Sequence, residues 1–185
     1  SRRQLRKLLP GCDENELDRL FATHANLGGY DLRGVALYGL GECVRSEGFS
    51  GLLERGDLTT IGNYMRVSHN GDRRWTYSPD GQQRRFTVQT DSESIRRLAL
   101  AETDLVQVPG RYGCSTQVID RIVDLASRAD GVIGAQITGA GLGGCAVVMV
   151  KSEWRDGLLH MLEREVGENR AFVSRPVAGA GLLSL

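Results

Sequence analysis

Four glycines fall within six residues at Gly139-x-Gly141-x-Gly143-Gly144, the densest chemical signal in the chain. Glycine permits positive φ and lets bare N–H groups approach an anion or another loop closely. Two familiar phosphate loops are excluded. A dinucleotide fingerprint needs a helix directly after its glycines so that the helix N-terminus meets the pyrophosphate, whereas Cys145 to Val150 is apolar and β-branched. A Walker loop needs Gly-Lys-Ser/Thr, and none follows. On these residues alone, a ligand-free hairpin turn explains the glycines as well as a binding loop does.

The other polar candidates are weaker. Cys12, Cys43, Cys114 and Cys145 are scattered, with no CxxC pair and no nearby His at ligand spacing, so reduced, mostly buried thiols are expected rather than a zinc site. Cys145 reads as a small buried strand residue rather than a nucleophile. His69 ends a helical pattern, where its charge would complement the helix dipole. His24 and His160 lie on helical segments without an acid or nucleophile in range, so no Ser/His/Asp or Cys/His relay is expected. The pairs Arg73-Arg74 and Arg84-Arg85 interleave with Trp75 and Tyr77, a pattern able to grip a phosphate or stack on bases. Asp72, Asp80 and Asp91 dilute that charge, which favours a solvated hairpin. Arg55-Gly56-Asp57 is an adhesion-type tripeptide better read as a turn with Asp57 as a helix N-cap.

These residues need elements to hold them. Asp13 precedes an amphipathic stretch with Leu17, Leu20 and Phe21, and a longer one carries Leu32, Val35, Leu37, Leu40, Val44, Phe49 and Leu52. Asp57 opens a third, with Ile61, Tyr64, Met65 and Ser68 on one side. Trp75 to Val88 reads as a hairpin turning at Pro79-Asp80-Gly81. Thr90 and Glu93 have capping-box spacing before a helix from Ile95 to Ala101. Ser115 is placed to cap a helix with Val118, Ile119, Ile122, Val123 and Ala126 inward. A strand from Val132 to Thr138, the glycine loop, a strand from Cys145 to Val150, a helix with Leu158 to Val166 and a strand at Phe172-Val173-Ser174 follow. That order predicts an α+β fold, a mainly antiparallel sheet covered by helices.

Composition sets the frame. The 185 residues carry 23 basic and 23 acidic side chains, a formal net charge of zero. A chain of that length buries roughly 70% of the surface its unfolded form exposes and folds without disulfides. Zero net charge argues against a nucleic-acid partner, which would require phosphate neutralisation. The longest apolar run, Ala146 to Val150, is far short of the ~20 residues of a membrane span, so no membrane partner and a cytoplasmic setting are expected. The chain starts at Ser1 inside a helical pattern, as a piece of a longer protein would.

Residues 131–150, Gly-Val-Ile-Gly-Ala-Gln-Ile-Thr-Gly-Ala-Gly-Leu-Gly-Gly-Cys-Ala-Val-Val-Met-Val, resemble the third conserved motif of the GHMP small-molecule kinases, and of galactokinases in particular. The likeness extends further. Leu53 to His69 is similar to the galactokinase helix ending in Met-x-x-Ser-His, here Met65, Ser68 and His69. Gly113 to Val123 resembles the family's Ser-Cys-Pro-Glu-Leu-Asp helix entry, and Phe172 to Leu185 its closing strands. The family joins the Ser-His helix to the Cys helix by a short link, whereas 44 residues separate His69 from Cys114 here.

The resemblance implies a ferredoxin-like GHMP kinase C-terminal domain with a helical N-terminal part, spanning 1–185 with a hairpin-containing insertion at about 70–110. It implies an ATP-dependent kinase of galactose-type carbohydrate metabolism acting on the anomeric hydroxyl of a monosaccharide. The first two family motifs and the catalytic Asp with its partner Arg have no counterpart here, so ATP and Mg²⁺ would be held mainly by the N-terminal domain, the partner of this one. The chain alone would be inactive and would hold no catalytic residue or metal ligand. Its contribution would be the substrate and phosphate loop, Gly139, Ala140, Gly141, Leu142, Gly143 and Gly144. A silent sugar- and ATP-binding sensor of the same fold, or a kinase for another sugar or small alcohol, is the alternative. The hairpin would also serve as an oligomerisation surface in a reading compatible with either; the oligomeric state stays open.

Overall fold

The computed structural model describes residues 1–26, 28–139 and 144–175. Helices dominate the first 72 residues: α1 (Arg2–Leu8), α2 (Glu14–Ala22), α3 (Leu32–Arg55) and α4 (Leu58–Asp72). Each start has a polar cap, with Asp13 accepting from Asn15 N, Asp31 from Gly34 N and Asp57 from Thr60 N. Gly56 ends α3 at φ +65°, a left-handed turn that an L side chain would strain, and α4 begins two residues later. Leu17 and Phe21 are the buried face of α2, while Leu20, expected with them, is exposed. On α3, Leu32, Val35 and Leu40 are also exposed.

Next come the hairpin β1 (Trp75–Tyr77) and β2 (Gln83–Arg85), then α5 (Ser92–Leu100), α6 (Gln117–Ala126), β3 (Val132–Thr138), β4 (Cys145–Val150) and α7 (Arg155–Val166). The fold is α+β. Among the described residues its β structure is two antiparallel pairs, β1 with β2 and β3 with β4. Several local expectations change. Asp91, not Thr90, caps α5, because Thr90 turns its hydroxyl to Asp31 instead. Thr116, not Ser115, caps α6, and Val118 points to solvent. His24 sits in a bend past α2, hydrogen-bonded to Tyr30. Residues 171–175 form no strand, and Phe172 is 83% exposed; positions beyond 175 lie outside the described residues.

The β3–β4 pair is the centre of the packing. Alternation along each strand sends Ala135, Ile137, Ala146 and Val148 to one face, against Ile119, Val123 and Ala126 of α6 and Leu158 and Leu162 of α7. The opposite face meets α4, where Ile61, Met65 and Leu52 gather with Met149. Ile61 and Val123 are almost completely buried, each contributing about 1.5–3 kcal/mol of transfer free energy. The contact with α4 is close because of two facing glycines: a Cβ added to Gly62 would overlap the Ile133 carbonyl oxygen, and one added to Gly134 would stand 2.8 Å from Met65 Sδ. No helix among the described residues is long and apolar enough to cross a membrane.

Candidate functional site

Pairing of β3 with β4 runs to Thr138 opposite Cys145, so both ends of the glycine loop are held by the sheet. Gly139 and Gly144 both take positive φ, +74° and +34°, which explains glycine at the two rims. A Cβ on Gly144 would stand 3.1 Å from Ile119 Cγ1, so the far rim rests on the first turn of α6. Ala140, Gly141, Leu142 and Gly143 lie outside the described residues.

Beside this rim lies a buried polar cluster. His69 is 1% exposed, Asp120 0% and Ser115 1%. The amide of Ile137 donates to His69 Nδ1 at 3.3 Å, so the neutral ring carries its proton on Nε2, which lies 3.4 Å from Asp120 Oδ1 without forming a hydrogen bond. Burial, with the nearby Arg73 charge, pushes the His69 pKa down to about 3. His69 is therefore neutral, and the charge–dipole role expected for it does not hold. Asp120 Oδ2 accepts from the amides of Arg74 and Trp75 at 3.0 and 2.9 Å. Burial raises the Asp120 pKa, and the neighbouring Ser115 hydroxyl pulls it back, although that hydroxyl has no hydrogen bond of acceptable geometry.

The structure thus brings together a Ser, a His and an Asp that the sequence order did not suggest. Their hydrogen bonding forbids a nucleophilic relay, because Nδ1 is occupied by a backbone amide and Nε2 faces the carboxylate, leaving no nitrogen to take the Ser115 proton. The cluster is a scaffold. Asp120, Asp124 and Arg128 at i, i+4 and i+8 of α6 and its C-terminal turn hold β1 edgewise: Asp124 accepts from Tyr77 N at 2.7 Å and pairs with Arg73 at 2.6 Å, and Arg128 donates to Tyr77 O at 2.8 Å. Asp72 joins them, accepting from Tyr38 Oη at 2.8 Å and Cys114 Sγ at 3.0 Å. Burial and the Asp72 carboxylate push the Cys114 thiol up to about 12, so it is not a nucleophile. The other cysteines depart from expectation in exposure: Cys12, Cys43 and Cys145 are all exposed, Cys145 because its side chain faces outward at the first position of β4.

Neither Asp120 nor Asp124 stands out in the sequence, and Asp72, expected to dilute the hairpin's charge, is buried against Tyr38 and Cys114. The available signal was the i, i+4, i+8 polar row beside the apolar Ile119, Val123 and Ala126. Among the described residues no group of His, Cys, Asp and Glu is placed to hold a metal ion.

Comparison with known proteins agrees with this architecture. Residues 87–168, covering α5, α6, the glycine hairpin and α7, match the family described as GHMP kinases C terminal. Similar proteins include a galactokinase of Clostridium beijerinckii, 45% identical over 47 residues (25% of this chain), and a galactokinase of Canis lupus familiaris, 32% identical over 73 residues (39% of this chain). A mevalonate kinase of Methanocaldococcus jannaschii is 45% identical over 55 residues, or 30% of this chain. The aligned stretches span only 12%, 19% and 17% of those three relatives. No solved structure matches the chain significantly.

Proposed function

We propose that residues 1–185 are the C-terminal domain, with an insertion at about 70–110, of an ATP-dependent sugar kinase of galactokinase type. In this reading the acceptor's anomeric oxygen attacks the γ-phosphorus of ATP, the bond to the β–γ bridging oxygen breaks, ADP leaves, and a carboxylate of the N-terminal domain takes the hydroxyl proton. Mg²⁺ and the nucleotide are assigned mainly to that other domain.

The loop 139–144 has the supporting part. Strand pairing at Thr138–Cys145 and the positive φ of Gly139 and Gly144 support a reading in which the loop presents its backbone N–H groups to a phosphate or sugar. The observation that carries the reading is this glycine hairpin within a segment matching the GHMP kinase C-terminal family, with two galactokinases among its relatives. The mevalonate kinase relative favours one second reading, a kinase of the same fold acting on a different small alcohol.

The deciding experiment assays the complete protein containing this chain with ATP against a panel of monosaccharides and small alcohols, and the chain alone beside it. Sugar-dependent ADP release by the complete protein and none by the chain alone is expected. Turnover by the chain alone, or a complete protein inert on every sugar, would overturn the reading.

A further inference from the structure

The long helix α3 carries apolar surface that the rest of the described residues leave uncovered. Its inner face is marked by the buried Gly34, Gly41, Arg45 and Leu52. At 100° per residue, Ala36, Gly39 and Cys43 fall on the opposite side, flanked by Val35 and Leu40. Leu40 is 56% exposed. Every exposed position between Arg33 and Glu47 is uncharged: Val35, Ala36, Gly39, Leu40, Cys43 and Ser46. A helix with an apolar outer side as well as a packed inner one differs from an ordinary surface helix, whose outer side is polar.

The charges that close this face are placed symmetrically about Leu40. Arg33 lies seven residues before it and Glu47 seven residues after it, and both are exposed. Seven residues make two helical turns to within about 20°, so Arg33, Leu40 and Glu47 form one row along the edge of the face. Neighbouring charges are used inside the fold, Glu42 with Arg45 and Asp31 with Arg111. Arg33 and Glu47 form no ion pair among the described residues. A row reading Arg, Leu, Glu complements itself only in reverse. Two antiparallel copies related by a two-fold axis at Leu40 set Leu40 on Leu40 and each Arg33 on Glu47 of the other copy, the same patch meeting itself as an isologous contact requires. The same register sets Ala36 against Cys43 of the second copy, side chains small enough for the two helix axes to approach to about 8 Å.

We infer that the outer face of α3 is a docking surface for a second copy of this chain, the two α3 helices lying antiparallel with Leu40 at the two-fold axis. The charge pattern selects that occupant, because it is opposite in sign to its own reversal. The contact spans about four turns of helix and is small beside the ~800 Å² per partner of a standard interface. Dissociation on dilution through roughly the micromolar range is therefore expected. The inference does not depend on the kinase reading.

The test is sedimentation velocity of the complete protein containing this chain, over a dilution series and at two salt concentrations. A dimer that dissociates on dilution is expected. Leu40→Glu, which sets two carboxylates face to face on the axis, leaves only monomer. Arg33→Glu and Glu47→Arg each weaken self-association by about tenfold, because two attracting pairs become two repelling ones. Mixing these two variants restores a dimer with one copy of each, and salt weakens that dimer as it does the wild type. Thermal melts check that all three variants fold; recovery on mixing is an outcome that misfolding cannot produce. A complete protein monomeric at every concentration, a dimer indifferent to Leu40→Glu, or a mixture that stays monomeric would overturn the inference. A dimer formed by the chain alone but not by the complete protein would also overturn it, giving the face to the rest of that protein. Each of these results leaves the sugar-kinase assay untouched.

Discussion

His69 shows how burial changes the meaning of a residue. At the last turn of α4 a histidine reads as a cation facing a helix dipole, yet with 1% of its surface exposed it is held neutral, between the Ile137 amide and the Asp120 carboxylate with Arg73 nearby. Its folded pKa of about 3 lies below the ordinary histidine value of 6.5. The unfolded chain therefore binds the extra proton first, and the contribution of His69 to stability, complete above pH 6.5, is lost progressively as pH falls towards 3. Asp72 and Asp120, whose pKa values burial raises, act oppositely: the folded state takes up their protons more readily, which offsets part of the loss in acid. Comparison with His69→Gln isolates the histidine. Wild type is the more stable protein at pH 7, and its advantage shrinks by roughly 1 kcal/mol per pH unit below about 6, read from urea unfolding at a series of pH values. A constant advantage from pH 7 to 4 would mean that the ring titrates alike in the folded and unfolded chains.

At the scale of elements, the glycines separate into those that need no side chain and those that merely lack one. Gly62 brings α4 onto β3 so closely that an added Cβ would overlap the Ile133 carbonyl, whereas a Cβ on Gly39, in the middle of α3, meets nothing within 4 Å. Gly62→Ala is expected to destabilise by at least about 2 kcal/mol through overpacking, and Gly39→Ala to stabilise by about 0.5–1 kcal/mol through lost unfolded-state freedom. Thermal unfolding of the two variants checks both signs. The sequence located β3 and β4 to the residue, because short, largely apolar stretches rich in Val and Ile flank the glycine loop on both sides. It misplaced two caps, because Thr90 and Ser115 each have a more distant polar neighbour, Asp31 and Asp120, that no local pattern reveals. Phe172 to Ser174 has strand-forming residues but no regular pairing among the described residues, and strand propensity by itself does not make a strand.

For the whole molecule, α6 is the common support. Its first turn carries the rim of the glycine loop through Ile119, its polar row carries the β1–β2 hairpin through Asp120 and Asp124, and its apolar face carries the sheet. Under the kinase reading, Gly141→Val in the complete protein should reduce kcat by more than about tenfold, the loss expected when one preorganised backbone donor is misplaced, while the melting temperature moves by only a few degrees. A variant that melts far below wild type while its folded fraction turns over normally would assign Gly141 to folding instead of chemistry.

The sequence by itself determined the element order, the α+β class, the glycine hairpin and the family likeness, because periodicity, turn residues and contiguous motifs are local properties of a chain. Tertiary structure alone decided that His69 is neutral and that Ser115, His69 and Asp120 meet without forming a relay. Those outcomes depend on burial and on hydrogen bonds between residues 45 to 68 positions apart. A carboxylate buried under a strand pays its desolvation back only through partners that folding delivers, and no spacing along the chain records which partners those will be.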